Sequence, residues 1–248
     1  MFSALQVNVF ADAGIIYAIG ASNLAGKIIL VILLIGSLFT WSVIFSKIAA
    51  VRRIRRETAR FLRKFRGEAK GLDLYFDPRA RYVCPSYHVY RAGCRELLFQ
   101  LTGNADAKTD DLAMLTKAEK LSPAAMNAVR AAVEREVGEQ ALRLEDRMIL
   151  LATATSGAPF LGLLGTVWGV MDTFASVAAQ GKADLTIMAP GVAGALVTTV
   201  TGLLVAIPAM FGYNFLVTTI RALTVELDNF ASELVTSFEH RYLDTSSR

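Results

Sequence analysis

Charge disappears from this chain in long blocks, and that restricts its folds more than any motif does. No charged side chain stands between Lys27 and Lys47, between Arg147 and Asp172, or between Asp184 and Arg221. The first block, residues 28–46, is long enough as a helix to cross about 30 Å of hydrocarbon. The third is longer than one crossing needs, so part of it must project from a bilayer or lie along its surface. The expectation is three spanning helices, over residues 25–47, 152–174 and 190–216. Composition agrees: 54% of residues are hydrophobic and 19% charged, against about 45–50% and about 25% in soluble globular domains. Low charge with high hydrophobicity is also the reverse of the disordered signature. Two cysteines exclude a disulfide scaffold and, with two histidines, leave little material for structural zinc.

Basic residues orient the spans. Lys47, Arg52, Arg53, Arg55, Arg56, Arg60, Arg63, Lys64 and Arg66 follow the first block, with Glu57 the lone acid among them. The first 26 residues carry only Asp12. By the positive-inside rule the segment after the first span is cytoplasmic and the N-terminus lies outside. The expected order is a short outer N-terminus (1–24), a first span (25–47), a cytoplasmic helical loop (48–151), a second span (152–174), a short outer loop (175–189), a third span (190–216) and a cytoplasmic C-terminal helix (217–248). A cleaved signal peptide is the competing reading of the first block. That block exceeds a signal core in length and is followed by a basic cluster, not a small-residue cleavage site. The basic run acts as a stop-transfer flank that can also contact anionic lipid headgroups; no nucleic-acid partner is expected.

The polar parts read as helical. Asp77-Pro78, Cys84-Pro85, Gly93, Gly103-Asn104 and Pro123 divide 67–147 into pieces. Ser122-Pro123 has the form of a helix start. Val129, Val133, Val137, Leu144, Met148 and Leu151 then recur at mostly helical steps with only Gly138 as a possible break. The simplest reading is one long helix passing from cytoplasm into membrane. Leu216, Ile220, Leu223, Leu227, Phe230, Leu234 and Phe238 alternate steps of four and three, a heptad-like stripe expected to continue the third span and pack on the 124–150 helix. Cys84, Cys94 and His88 read as structural. No phosphate loop or nucleophile elbow is present, so neither enzymatic chemistry nor a cofactor or metal is expected.

The second and third blocks carry a pattern that the first lacks. Thr155, Pro159, Gly162, Thr166, Gly169 and Thr173 fall on one narrow helical face, and Gly165 pairs with Gly169 as GxxxG. Gly191, Ala195, Thr199, Gly202, Ala206 and Ala209 form a matching face, flanked by Thr198 and Thr201. Small residues let helices approach closely. Pro159 and Pro208 each leave a carbonyl without its helical donor and allow a hinge. Two readings stay open from the residues alone. The faces pack with threonines bonded to their own backbones, or the threonines line a polar path. Ion-driven machinery normally needs an intramembrane ionisable group. Neither block has a central one, so such a group is expected mainly from a partner.

Residues 159–171 (PFLGLLGTVWGVM), Ala189-Pro190-Gly191-Val192-Ala193, residues 195–203 (ALVTTVTGL) and Ala206-Ile207-Pro208-Ala209 with Tyr213-Asn214 resemble the TolQ/ExbB/MotA proton-channel family. The resemblance is specific over about 144–216 and looser over the whole chain. Asp228-Asn229-Phe230, Glu233 and His240-Arg241 look more like its TolQ branch. It implies an all-α inner-membrane protein forming a homopentamer, with a periplasmic N-terminus and a cytoplasmic C-terminus. It further implies a TolR/ExbD-type single-span partner supplying a titrating Asp, a TolA/TonB-type protein beyond it, and H⁺ as the ion. Thr166 and Thr199 fall on the family's two pore threonines. Thr155 and Thr173 extend that face, and Pro190, Gly191, Gly202 and Pro208 serve packing and bending. One departure stands out: Gly194 occupies a position where the family usually has Glu. Asp172, near the outer end of the second span, is either a substitute acid at the pore mouth or a solvated helix end.

Overall fold

The structure is a computed structural model that describes residues 20, 23–67, 72–77, 81–103, 120–181 and 184–243. Most of the outer N-terminal segment, together with Asp12, Pro78, Asn104 and Lys182, lies outside the described residues. Among the described residues six helices follow in order: α1 Leu24–Gly67, α2 Asp73–Phe76, α3 Pro85–Thr102, α4 Pro123–Glu145, α5 Met148–Gln180 and α6 Leu185–Tyr242. Among the described residues the only β pairing is an isolated bridge between Leu121 and Leu243. The fold is therefore all-α, and three stretches are long and apolar enough to cross a membrane.

Local chemistry sets the helix ends. Asn23 Oδ1 accepts the Gly26 N–H at 2.7 Å, the side-chain cap that satisfies an orphan donor. Ser122 Oγ accepts the Ala125 N–H at 3.2 Å with Pro123 in the first turn, as the Ser-Pro signal predicts. Gly103 and Gly181 end α3 and α5 at φ +72° and +65°, the left-handed conformation that glycine adopts without a Cβ clash.

Two expectations need correction. The helix expected to run unbroken from Ser122-Pro123 into the second span is interrupted at Asp146–Arg147, not at Gly138. Arg147 takes φ +63°, a conformation that costs a non-glycine residue about 1–2 kcal/mol. No local sequence preference asks for it, so surrounding structure imposes it. The break coincides with the division of the chain into two compact units, one of residues 1–47 and 147–216, the other of 48–146 and 217–248. Second, residues 175–180 and 185–189, expected within the outer loop, continue α5 and α6. The helix breakers there are Gly181 and Asp184, whose Oδ1 accepts the Thr186 N–H at 3.0 Å, and nothing earlier stops either helix.

The unit of residues 1–47 and 147–216 holds the apolar spans. Ile29 and Leu33 of α1 are buried with Ala158, Val205 and Ala206. Much of the rest of its apolar surface is open: Leu38, Phe39, Phe45, Phe160 and Phe211 are each more than 60% exposed. A continuous display of this kind marks a surface that meets hydrocarbon or another protein.

The second unit has a conventional core. Phe61 and Phe65 of α1, Tyr90 of α3 and Phe230 of α6 meet with ring centroids 5.4–5.8 Å apart. Met126, Val129, Val133 and Val137 of α4 share this core with Leu227, Leu234 and Phe238 of α6, so the two stripes read from the sequence do pack together. Gly93 permits the closeness of α3, since a Cβ there would lie 2.9 Å from Val133 Cγ2. Cys84 and Cys94 are free and buried, and burial pushes both thiols above their usual range. A fork of two bonds joins Arg66 to Glu233 at 2.9 and 2.6 Å, but both side chains are solvent-accessible. Phe61→Ala is therefore expected to cost about 3–5 kcal/mol and Arg66→Ala under about 1 kcal/mol, measured by denaturant unfolding of the detergent-solubilised protein.

Candidate functional site

The site is built where α5 meets α6, within the first unit. Two glycine-bearing faces bring the backbones together. A Cβ on Gly202 would lie 2.6 Å from the Ala158 carbonyl oxygen, and one on Gly162 2.9 Å from that of Thr198. Gly169 sits against Ala195 at a distance where an added Cβ would reach 2.7 Å. Substituents on Gly165 and Gly191 would collide with Thr198 and Thr173. At Gly162 and Gly202 the atoms met are backbone, so no rotamer change relieves the clash there. Within this unit α5 and α6 approach closely at these glycines, and both run through Pro159, Pro190 and Pro208 as continuous helices.

Close approach lets hydroxyls reach across. The Thr166 and Thr199 hydroxyls are hydrogen-bonded to each other. Thr199 Oγ1 also lies 3.1 Å from the Gly162 carbonyl, and Thr166 Oγ1 3.2 Å from the carbonyls of both Gly162 and Ala195. Thr198 is buried and donates to Ala195 O at 2.6 Å, with Gly162 O 3.1 Å away. Each hydroxyl has one proton and two acceptor lone pairs, so the network can be satisfied with the Thr166–Thr199 proton running in either direction. In either direction the second hydroxyl's proton goes to a backbone carbonyl and acceptor lone pairs remain, so the pair accepts from an outside group as it stands and donates to one only by releasing a carbonyl. Thr166 and Thr199 are only half-buried, so one side of the pair stays reachable.

The remaining sequence-derived residues fall into two sets. Thr173 is buried, donates to Gly169 O at 2.8 Å and abuts Gly191, so it serves the packing face. Thr155 donates to Leu151 O at 2.9 Å within its own helix, away from the pair. Asp172 is exposed and lines a cleft of about 40 Å³ with Asn23, Thr173, Gly194 and Thr198, room for about one water or a few. Gly194, buried, lies at the floor of the same contact. Sequence reasoning gave Thr198 too small a part. A helical period puts it beside the face, and only the glycine-level approach of α5 draws its hydroxyl into the network. Gly26 and Asn23 of α1 also join the cleft, a long-range neighbourhood that no local pattern announces.

Comparison with known proteins follows this geometry. The model of the MotA/TolQ/ExbB proton channel family matches residues 106–229, which include the whole hydroxyl network. The Tol-Pal system protein TolQ of Haemophilus influenzae is 30% identical over 217 residues, 87% of this chain and 89% of that protein. TolQ of Pseudomonas aeruginosa is 31% identical over 218 residues, covering 85% and 86%. The biopolymer transport protein ExbB of Xanthomonas campestris is 40% identical over 121 residues, 49% of this chain and 44% of that protein.

The glycines make a graded prediction. Gly202→Val is expected to destabilise the unit by about 1–3 kcal/mol or more through overpacking. Gly157→Ala, where an added Cβ meets nothing within 4 Å, is expected to leave the melting temperature in detergent unchanged.

Proposed function

Because the chain belongs to the MotA/TolQ/ExbB proton channel family, we propose that it is the channel-forming subunit of an ion-driven stator, of the TolQ type, in a Tol-Pal-type envelope system. The family and the three apolar helices make it a multi-pass membrane protein. The proposal adds placement in a bacterial inner membrane, with the N-terminus periplasmic and the C-terminus cytoplasmic. It adds assembly as a homopentamer around a TolR/ExbD-type single-span partner that acts on a TolA/TonB-type protein, with H⁺ as the driving ion.

One observation carries this reading. The Thr166–Thr199 pair is a hydroxyl relay set in two spans with no Asp, Glu, Lys, Arg or His across 148–171 and 185–220. Such a face can solvate a carboxylate in either protonation state, but it cannot itself carry charge across. The titrating group then belongs to the partner, and the subunit supplies the surface against which that group is neutralised and released. One charge crossing 100 mV yields about 2.3 kcal/mol, so several transfers must accumulate to break a protein contact of ordinary size.

TolQ relatives at 30–31% identity over most of the chain support the Tol reading, against 28% for an ExbB matched over a similar share. The higher identity to Xanthomonas ExbB over half the chain supports a second one, a subunit energising TonB-dependent uptake. Co-purification separates the two by the single-span partner recovered. The test of the motor itself is a substitution pair. Thr166→Ala and Thr199→Ala are expected to leave the oligomer intact and abolish proton-dependent work, scored by envelope integrity, whereas Thr166→Ser retains it. A structural scaffold for a partner helix would tolerate all three. For Asp172, Asp172→Asn is expected to slow proton entry; full activity in that variant removes it from the path.

A further inference from the structure

The outward face of α3 is basic. Val89, Tyr90, Gly93 and Leu97 turn inward and are buried, which leaves His88, Arg91 and Arg95, spaced by three and four residues, together on the exposed side. With Ala92 they line a cleft of about 210 Å³ whose other walls are Tyr75 of α2 and Glu136 of α4. Gly93 shapes it from behind. Its missing side chain admits Val133 of α4, and Glu136 stands three residues, just under one turn, past Val133.

The cations of this cleft are uncommitted. Among the described residues no carboxylate forms an ion pair with His88, Arg91 or Arg95. Nearby acids are engaged elsewhere: Asp77 pairs with Lys64 at 2.9 Å and Glu139 with Arg143 at 3.7 Å. Glu96 does not line the cleft, and it accepts the Gln100 amide at 2.9 Å. Glu136 is the one carboxylate in the lining, and it is held in place. Its Oε1 accepts from Nε2 of Gln140 at 2.7 Å, and Gln140 is 4% exposed. A carboxylate has two acceptor oxygens, so Glu136 keeps capacity for a further donor. A simple anion would be drawn by the arginines and repelled by Glu136. We propose that the cleft binds a phosphate ester carrying an ammonium group, with the phosphate on Arg91 and Arg95 and the ammonium on Glu136. Guanidinium forks match phosphate oxygens, and His88 adds a ring N–H. A lipid headgroup and a soluble ester can both present this chemistry. The cleft lies wholly in the unit of residues 48–146 and 217–248, so the assignment is independent of the ion-driven reading.

Phosphorus NMR line broadening tests it, with O-phosphoethanolamine or inorganic phosphate titrated against the full chain in a phosphate-free detergent. The wild type is expected to bind phosphoethanolamine more tightly than phosphate. Arg91→Gln with Arg95→Gln is expected to weaken both about tenfold or more. Glu136→Gln, which keeps an acceptor for Gln140, is expected to weaken phosphoethanolamine about two- to fivefold and to tighten phosphate. The opposite signs separate a built site from a plain basic patch, where removing Glu136 tightens both. A gain for both probes in Glu136→Gln overturns the proposal, as does undiminished binding in the arginine variant or no binding by the wild type. The arginines are exposed and Glu136 is half-buried, so these variants leave the core intact. Repeating the phosphoethanolamine titration in nanodiscs of phosphatidylethanolamine and of phosphatidylcholine identifies the source. Weaker apparent binding in phosphatidylethanolamine supports the site with a headgroup as its ligand, and equal binding supports it with a soluble ester.

Discussion

Everything distinctive about the membrane unit depends on how closely α5 and α6 approach. In hydrocarbon, helices gain nothing from hiding apolar side chains from water, so association rests on packing and on polar contacts. Here glycine faces glycine, as at Gly162 and Gly202, and glycine faces Ala195 or Thr198. A single methyl group at these points would strike backbone atoms at Gly162 and Gly202 and the side chains of Ala195 or Thr198 elsewhere. That closeness makes the rest possible. It brings Thr198 and Thr199 to the Gly162 carbonyl and sets Thr166 against Thr199. Close packing and the cross-helix hydroxyl network are two consequences of the same contact.

The small residues divide by function once their neighbours are known. Gly162, Gly165, Gly169, Gly191 and Gly202 are closed against the facing helix, while a Cβ on Gly36 or Gly157 would meet nothing within 4 Å. The threonines divide similarly. Thr40, Thr153 and Thr155 satisfy themselves within their own helices, whereas Thr166, Thr198 and Thr199 form the cross-helix network. With no titratable side chain in the two helices at that depth, the network has neutral dipoles alone to offer. A neutral, reversible hydroxyl pair suits a surface that must accept a carboxylate and its protonated form with similar ease.

The three helices long and apolar enough to span were legible because charge is missing from them, and the close approach of α5 and α6 because small residues recur there at steps of three and four. The pairing of the α4 and α6 stripes in the second unit was legible for the same reason. The break at Asp146–Arg147 was not, since neither residue favours it and the cause lies in tertiary structure. The length of α5 and α6 past the expected loop was hidden because hydropathy reports where a helix is apolar, not where it stops; Gly181 and Asp184 were the informative residues. Thr198 was read as a flank because a helical wheel assumes ordinary helix separation, and here the glycines reduce it. That Gly36 and Gly157 stay open was not legible, because they are the same residue type as the glycines that close the α5–α6 contact.

The central proposal is that this chain lines an ion path without a titrating group of its own across residues 148–171 and 185–220. Proton flux into liposomes tests it most directly, with an imposed potential and a pH-sensitive dye inside, comparing the chain alone with the chain co-reconstituted with the proposed carboxylate-bearing single-span partner. The account predicts no flux above empty liposomes for the chain alone and clear flux with the partner. Equal flux from the chain alone would contradict it.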